Sequence, residues 1–276
     1  MSRRLRFFRI RRKPILSSPG TGIPQRRHRR KDRISCLPDA LLHHIISFLP
    51  MKDAAATTIL SKRWKPLWIA QLILNLEDKP FPDPSTFRKF FYSFVAARDN
   101  TLPILSLHLK CRHLRYCNSD IHDFVSTAVQ RGVQNLSIDL FHTDHYVITM
   151  FPTFVLTTKT LTVLKLRRLT LDQVPQVNLP LLKVLHLKSV TFIYYEHFLK
   201  LFYGSPILEE LETKDLSLKK NNYRGLKVVL SLSNLLRANV SDNLIEYDWF
   251  HNANHLRIRQ LCIYSAKLIS EIQQVS

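Results

Sequence analysis

One short pattern, Leu-x-x-Leu-x-Leu with aliphatic replacements, recurs seven times between residues 102 and 263. Neighbouring copies lie 21 to 31 residues apart, as their central positions show: Leu105, Leu136, Leu164, Leu185, Leu211, Ala238 and Leu261. Repeats of this length stack as units that each supply one short strand and a return segment. Unrelated strands of a β-sandwich would follow one another at about 8 to 12 residues. The spacing therefore predicts an α/β solenoid with one parallel strand per repeat.

The repeats are of the leucine-rich type, but they depart from its standard form after each strand. The Asn or Cys that normally follows the strand is replaced by aliphatic residues such as Leu169, Val190 and Leu216. We therefore expect an irregular leucine-rich-repeat solenoid with a parallel sheet over residues 101 to 276.

The residues between the leucines should face the concave surface, because side chains alternate along a strand. The third and fourth strands are basic on this face and the fifth is acidic. We expect the basic patch to favour an acidic or phosphorylated segment of a protein partner, although a plain solvated sheet face remains the alternative. The candidate substrate-binding residues are Lys165, Arg167, His186, Lys188, Glu212 and Arg237.

Two helices are predicted upstream of the repeats. Pro38 suits the first turn of a helix, where its missing N–H is no loss, and Pro50 ends that helix. Asp53 is a suitable cap for a second helix, which Pro66 would end. Helices this short cannot bury their many large apolar side chains by themselves, so the pattern indicates a partner surface.

The same segment, DRISCLPDALLHHIISFLPMKDAAATTILSKRWKPLW at residues 32 to 68, resembles the F-box of plant F-box proteins. The shared features are Leu-Pro-Asp, an aliphatic helix, Phe-Leu-Pro, a small-residue helix, Ser-Lys-Arg-Trp and a closing Leu-Trp. The repeats, for example TLTVLKLRRLTL and SPILEELETKDL, are similar to those of plant F-box/leucine-rich-repeat proteins. Such proteins often end in a domain called FBD, which we do not expect in this sequence because it stops just after the last repeat.

The resemblance implies a substrate-receptor subunit of an SCF-type cullin-RING E3 ubiquitin ligase. The F-box would bind a Skp-type adaptor, and through it a cullin, while the repeats would bind a protein substrate. The adaptor contacts implied by the motif are Leu37, Pro38, Leu41, Ile45, Leu49, Leu60 and Trp64. Two alternatives stay open: a nucleic-acid-associated binding protein that uses its basic N-terminal arm, and a truncated, decoy-like F-box protein.

Four segments follow from these patterns: a disordered basic arm at 1–33, the F-box at 34–76, a linker helix within 77–100 and the repeats at 101–276. The linker is assigned a helix because large apolar residues recur there at helical spacing. They are Phe87, Phe90, Phe91, Phe94 and Val95. The simplest expectation is that this helix packs on the first repeat.

The net charge of +20 is concentrated in the N-terminal arm. Residues 1–33 hold 13 Lys and Arg against a single acidic residue, Asp32. Such a segment repels itself and suits a nuclear-import receptor or a phosphate backbone, although a solvated arm explains it as well. Four cysteines are too few for a disulfide framework, and no apolar run is long enough to span a bilayer. We therefore expect the protein in the nucleus, the cytoplasm or both, and not in a membrane.

Residues with catalytic or metal-binding chemistry are scattered. The five glycines include one close pair, Gly20 and Gly22, which lacks the context of a phosphate-binding loop. Cys111 and Cys117 have no second pair of ligands nearby, and the histidine pairs at 142/145 and 251/255 lack cysteine or carboxylate partners. We expect no catalytic residue, no metal site and no cofactor, and hence a binding protein rather than an enzyme.

Overall fold

The computed structural model describes residues 33–34, 36–111, 118–140, 151–220, 234–241 and 260–263. The chain divides into a short N-terminal unit, Met1–Leu37, and a large unit, Pro38–Ser276. In the short unit the Leu37 N–H donates to the Ile34 carbonyl at 3.0 Å. The remainder of the predicted basic arm lies outside the described residues.

The large unit opens with three short helices: α1 (Asp39–Ser47), α2 (Met51–Ala56) and α3 (Trp64–Ile69). Pro38 and Pro50 are the N-caps of α1 and α2, so the start of α1 is confirmed. The second predicted helix is wrong in two details. It begins at Met51 rather than after Asp53, and it breaks into α2, a 3-10 turn (Thr57–Ile59) and α3. Pro66 lies in the first turn of α3 and does not end it, because an N–H in that turn has no intrahelical partner to lose.

A parallel sheet of nine strands follows. Its strands are β1 (Ile73–Glu77), β2 (Ser106–Cys111), β3 (Asn135–Leu140), β4 (Val163–Leu171), β5 (Val184–Tyr194), β6 (Glu210–Lys214), β7 (Ser217–Lys220), β8 (Arg237–Ser241) and β9 (Gln260–Ile263). The strands from β1 to β6 pair in chain order, and β6 is followed by β8 and then β9. Strand β7 lies outside this order and pairs with β5. The predicted α/β solenoid with one parallel strand per repeat is confirmed, and all seven repeats supply a strand.

The repeats bend at one recurring position. Arg168, Ser189 and Asp215 have positive φ angles of 53°, 52° and 52°, a conformation that few non-glycine residues adopt. After this residue the pairing of β4 with β5 resumes at Leu169 and Val190. Strand β7 likewise follows β6 in the chain and pairs with the same strand, β5. Leu169 and Val190, which replace the usual Asn or Cys, therefore belong to a second half of the strand, and Leu216 immediately precedes β7.

The first repeat is displaced by two residues from the sequence assignment. Ile104, Leu107 and Leu109 are buried, and Leu107 pairs with Leu136 of the next repeat. The assignment of Leu105 as the central position was wrong, because the segment fits the pattern in either register. Strand β1 was also missed, since the buried Gln71 stands where the pattern expects a leucine.

Two helices cover the core side of the first strands: α4 (Pro84–Ala97) and α5 (Asn118–Gln130). Phe87 and Phe91 of α4 contact the Phe124 ring of α5, with centroids 5.4 and 4.5 Å apart. The helix expected between the F-box and the repeats corresponds to α4, which packs on α5 after the first repeat strand β2. A third helix, α6 (Tyr195–Tyr203), packs its aromatic residues against β5. Within the described ranges no helix is long and apolar enough to cross a membrane.

Asp83 caps α4 and makes its stability depend on pH. Its carboxylate accepts hydrogen bonds from the Ser85 hydroxyl at 2.6 Å and from the Thr86 N–H at 2.8 Å. These bonds, that of Ser85 first, lower the pKa of Asp83 from 3.8 to about 2. A carboxyl group whose pKa is lowered by folding stabilises the protein at pH values above its unfolded-state pKa. This stabilisation is lost as the pH falls towards the folded-state pKa.

We therefore expect wild type to lose stability faster than Asp83→Asn when the pH is lowered from about 5 to about 2.5. The asparagine keeps a capping oxygen but does not titrate in this range. Urea unfolding across this pH range measures the free energy of unfolding of both proteins. The difference between the two values should become smaller as the pH falls. A difference that stays constant would mean that the Asp83 carboxylate does not gain stability in the folded state.

Candidate functional site

An apolar surface lies on the outside of the three-helix segment. On α1, Leu42 and Ile46 are buried, whereas residues at positions i, i+4 and i+7 of the adjacent face are exposed. The 3-10 turn and the residue after it carry further exposed apolar side chains. We define the apolar surface by these side chains and their exposed fractions: Leu41 49%, Ile45 42%, Phe48 71%, Ile59 86% and Leu60 60%.

The helices beneath this surface hold one another through a small core and local hydrogen bonds. Trp64 is 3% exposed and packs in the same layer as the buried Leu67. The Arg63 guanidinium pairs with the Asp39 carboxylate, with 2.7 Å from Nε to Oδ1, and so ties the start of α1 to the start of α3. The exposed side chains thus stand on a fixed scaffold.

The predicted adaptor-binding residues divide into three groups. Pro38, Leu41, Ile45 and Leu60 are exposed, whereas Leu37 and Leu49 are half-buried. Trp64 lies in the core, so in this conformation it supports the surface and offers no contact of its own. Sequence reasoning missed Phe48 and Ile59, although Phe48 continues the helical spacing of Leu41 and Ile45.

The helical segment is joined to the sheet by buried polar contacts. Gln71 Nε2 donates to the carbonyls of His43 and Leu67, both at 3.2 Å. Asn75 of β1 donates from Nδ2 to the Ser47 carbonyl at 2.8 Å. The Arg98 guanidinium donates at 2.6 Å to the carbonyls of Ile69, Gln71 and Pro103, which joins the end of α3 to the segments that lead into β1 and β2. The apolar surface and the repeats therefore belong to one packed unit.

A second surface is the sheet face opposite the core. Strand register places Arg167 beside Lys188 and Lys188 beside Lys214, while Lys165 lies beside His186. We call Arg167, Lys188 and Lys214, with the flanking Lys165 and Lys110, the basic row. The expectation that Lys165, Arg167 and Lys188 lie on adjacent strands is confirmed.

The other predicted substrate-binding residues contact each other. His186 lies between two carboxylates, with Nε2 2.8 Å from Glu210 and Nδ1 3.2 Å from Glu212. Arg237 donates from Nε to Glu210 at 2.9 Å. Hydrogen bonds from Arg237 first, and then from His186, lower the pKa of Glu210. His186, Glu212 and Arg237 thus form an internal charge cluster with Glu210, a pairing that side-chain alternation does not reveal.

The described residues offer no group of His, Cys, Asp and Glu that could hold a metal ion. Cys111 is buried in the core cluster, and burial raises the pKa of its thiol well above the ordinary value. Cys117 and the histidine pairs at 142/145 and 251/255 lie outside the described residues.

The helical segment thus carries an apolar surface, and the repeat sheet carries a charged one. The F-box domain family matches residues 34–73, so the chain contains an F-box domain. Over most of its length it is similar to F-box/FBD/LRR-repeat proteins of Arabidopsis thaliana, which confirms the resemblance found in the sequence.

Three relatives show the extent of this similarity. One F-box/FBD/LRR-repeat protein is 33% identical over 218 residues, which cover 74% of this chain and 48% of the relative. A second is 32% identical over 223 residues, covering 77% and 49%. An FBD-associated F-box protein is 40% identical over 192 residues, covering 67% and 44%. The chain spans about half the length of these curated relatives. No solved structure matches.

Proposed function

We propose that this protein is a substrate-receptor subunit of an SCF-type cullin-RING E3 ubiquitin ligase. The observation that carries the proposal is the apolar surface: five large apolar side chains, each at least 42% exposed, stand on a segment that matches the F-box domain. F-box domains generally bind Skp-type adaptors, and several exposed large apolar side chains on a short helical segment are typical of a binding site. The adaptor would in turn recruit the cullin.

In this role the protein performs no chemistry and acts by proximity. A substrate held on the repeats would present its lysines to a ubiquitin-conjugating enzyme at a raised effective concentration. Such a mechanism needs a fixed distance between the two binding surfaces. The contacts of Gln71, Asn75 and Arg98 support it, because they pack the helical segment directly against β1.

Complex formation in solution tests the proposal. The purified full-length chain, mixed with a Skp-type adaptor, should co-elute with it in size-exclusion chromatography, and adding a cullin should shift both to a larger complex. Separate elution of the chain and the adaptor would contradict the proposal at its first step.

We also propose that the basic arm directs part of the protein to the nucleus. Its two clusters, Arg11 to Lys13 and Arg26 to Lys31, match the charge that import receptors recognise. Replacing the arginines of the second cluster with glutamine should move a fluorescent fusion from the nucleus to the cytoplasm without changing adaptor co-elution. An unchanged distribution in the cell would contradict an import role.

A further inference from the structure

The basic row is an array of five cations that is interrupted at β3. Its members come from strands β2, β4, β5 and β6, and neighbouring strands of a sheet are about 4.8 Å apart. Arg167, Lys188 and Lys214 are direct register partners across three strands. Lys110 occupies the same register position on β2, with Asp139 of β3 between it and Arg167. The array therefore spans four strand spacings, or about 19 Å.

Most of the charge of this row has no ion-pair partner. Among the described residues, no salt bridge involves a side chain of the row, although Glu77 of β1 lies beside Lys110 in register. The other acidic groups nearby pair with residues outside the row. Asp139 is buried and pairs with Arg168. Glu210 and Glu212 are held by His186 and Arg237. Beside the row, burial first and the charges of Lys165 and Lys110 next lower the pKa of His108, as a positive potential should.

We propose that the basic row binds an extended, carboxylate-rich segment of the protein substrate, laid across the strands. An extended segment rises about 3.3 Å per residue, so about six residues match the 19 Å of the row. Arg167 is suited to bidentate pairing with one carboxylate, and the lysines supply point charges on either side. The inference deepens the proposed function, because the bound segment would belong to the protein that is ubiquitylated.

A peptide fits this face better than a nucleic acid does. Single-stranded nucleic acids bind grooves that combine cations with aromatic side chains on which bases stack. Three rows of register partners on this face hold the cations and their neighbours: the row through Arg167, the row through Lys165 and the next outward-facing row before it. None of the described residues in these rows is Phe, Tyr or Trp. The carboxylates of Glu212 and Glu210 also lie two and four residues before Lys214 on β6 and would repel a wide polyanion.

Binding of fluorescein-labelled hexaglutamate to the full-length chain tests the proposal. Arg167→Glu with Lys188→Glu should weaken binding, measured by fluorescence anisotropy, by about tenfold or more. The matched control is Lys89→Glu with Lys159→Glu, which makes the same change of net charge at exposed lysines outside the row and should leave affinity unchanged. A photo-crosslinker on the peptide should label β2 to β6, which separates this site from the 13 basic residues of the arm.

Equal binding by the row variant and the control, or crosslinks confined to residues 1–33, would overturn the proposal. So would tighter binding of random-sequence single-stranded DNA that depends on Arg167 and Lys188, which would make the row a nucleic-acid surface. Adaptor co-elution is measured on the same preparations. Its loss would count against the ubiquitin-ligase function, whereas peptide binding reports on the row alone.

Discussion

Leu41→Asp combined with Leu60→Asp is expected to abolish binding of a Skp-type adaptor, lowering its affinity more than about a hundredfold. Both side chains are about half exposed or more in the free protein, at 49% and 60%, so aspartate at either position can stay in water and leave the fold intact. In the complex the same carboxylates would be buried in an apolar interface without partners. Isothermal titration calorimetry with the purified adaptor measures the loss.

Leu181→Asp is the matched control for this double variant. Leu181 has the same exposed fraction as Leu41, 49%, but lies in the repeats between β4 and β5. The control should bind the adaptor as wild type does, and all three proteins should give the same circular dichroism spectrum. Undiminished adaptor binding by the double variant would show that the apolar surface is not the contact.

The sequence predicts the elements of the helical segment better than the role of each residue in it. Helical spacing identifies Leu41, Leu42, Ile45 and Ile46 as apolar positions of one helix, but two faces of α1 are apolar. Only the packing of α1 on α3 and β1 decides that Leu42 and Ile46 are covered and the other two are not. The F-box motif likewise includes Trp64, which is buried beneath the apolar surface. A motif alone does not distinguish a residue that supports the helices from one that contacts the adaptor.

The direction of the repeats and the seven strands from β2 onwards that match the pattern are predictable, whereas β1 and the register of the first repeat depend on packing. In the first repeat both Leu105 and Leu107 fit the central position, and burial selects Leu107. Just before β1 a glutamine occupies a leucine position, which is acceptable because Gln71 donates hydrogen bonds to carbonyls of the helical segment. A pattern that asks for leucine cannot anticipate a polar residue that bonds to a carbonyl 28 positions away.

Charge on the sheet face is predictable strand by strand but not across strands. Alternation correctly places Lys165, Arg167, His186 and Lys188 on one face. It carries no information on which charges neutralise each other, and the pairing of His186 with two glutamates follows from the register of β5 and β6. The structure therefore narrows the candidate substrate surface from six residues of mixed charge to the basic row.

Arg98 should contribute more to stability than any other charged residue of the described chain. The residue is 4% exposed, and its guanidinium donates to three backbone carbonyls. Burial first, and the neighbouring Arg131 next, lower the pKa of Arg98 to about 10. Because the carbonyls of Ile69, Gln71 and Pro103 are its partners, removing the guanidinium would leave buried acceptors without donors at the joint between helices and sheet.

We therefore expect Arg98→Met to lower the free energy of unfolding by about 3–5 kcal/mol, since methionine keeps much of the side-chain volume but donates nothing. Urea unfolding followed by circular dichroism measures the change. Arg131→Met is the matched control: Arg131 is half-buried, donates to the Asn100 side chain at 2.9 Å, and should cost less than about 1 kcal/mol. Equal costs for the two variants would mean that the joint is held by the apolar core around Phe94 and Trp68 and not by the arginine.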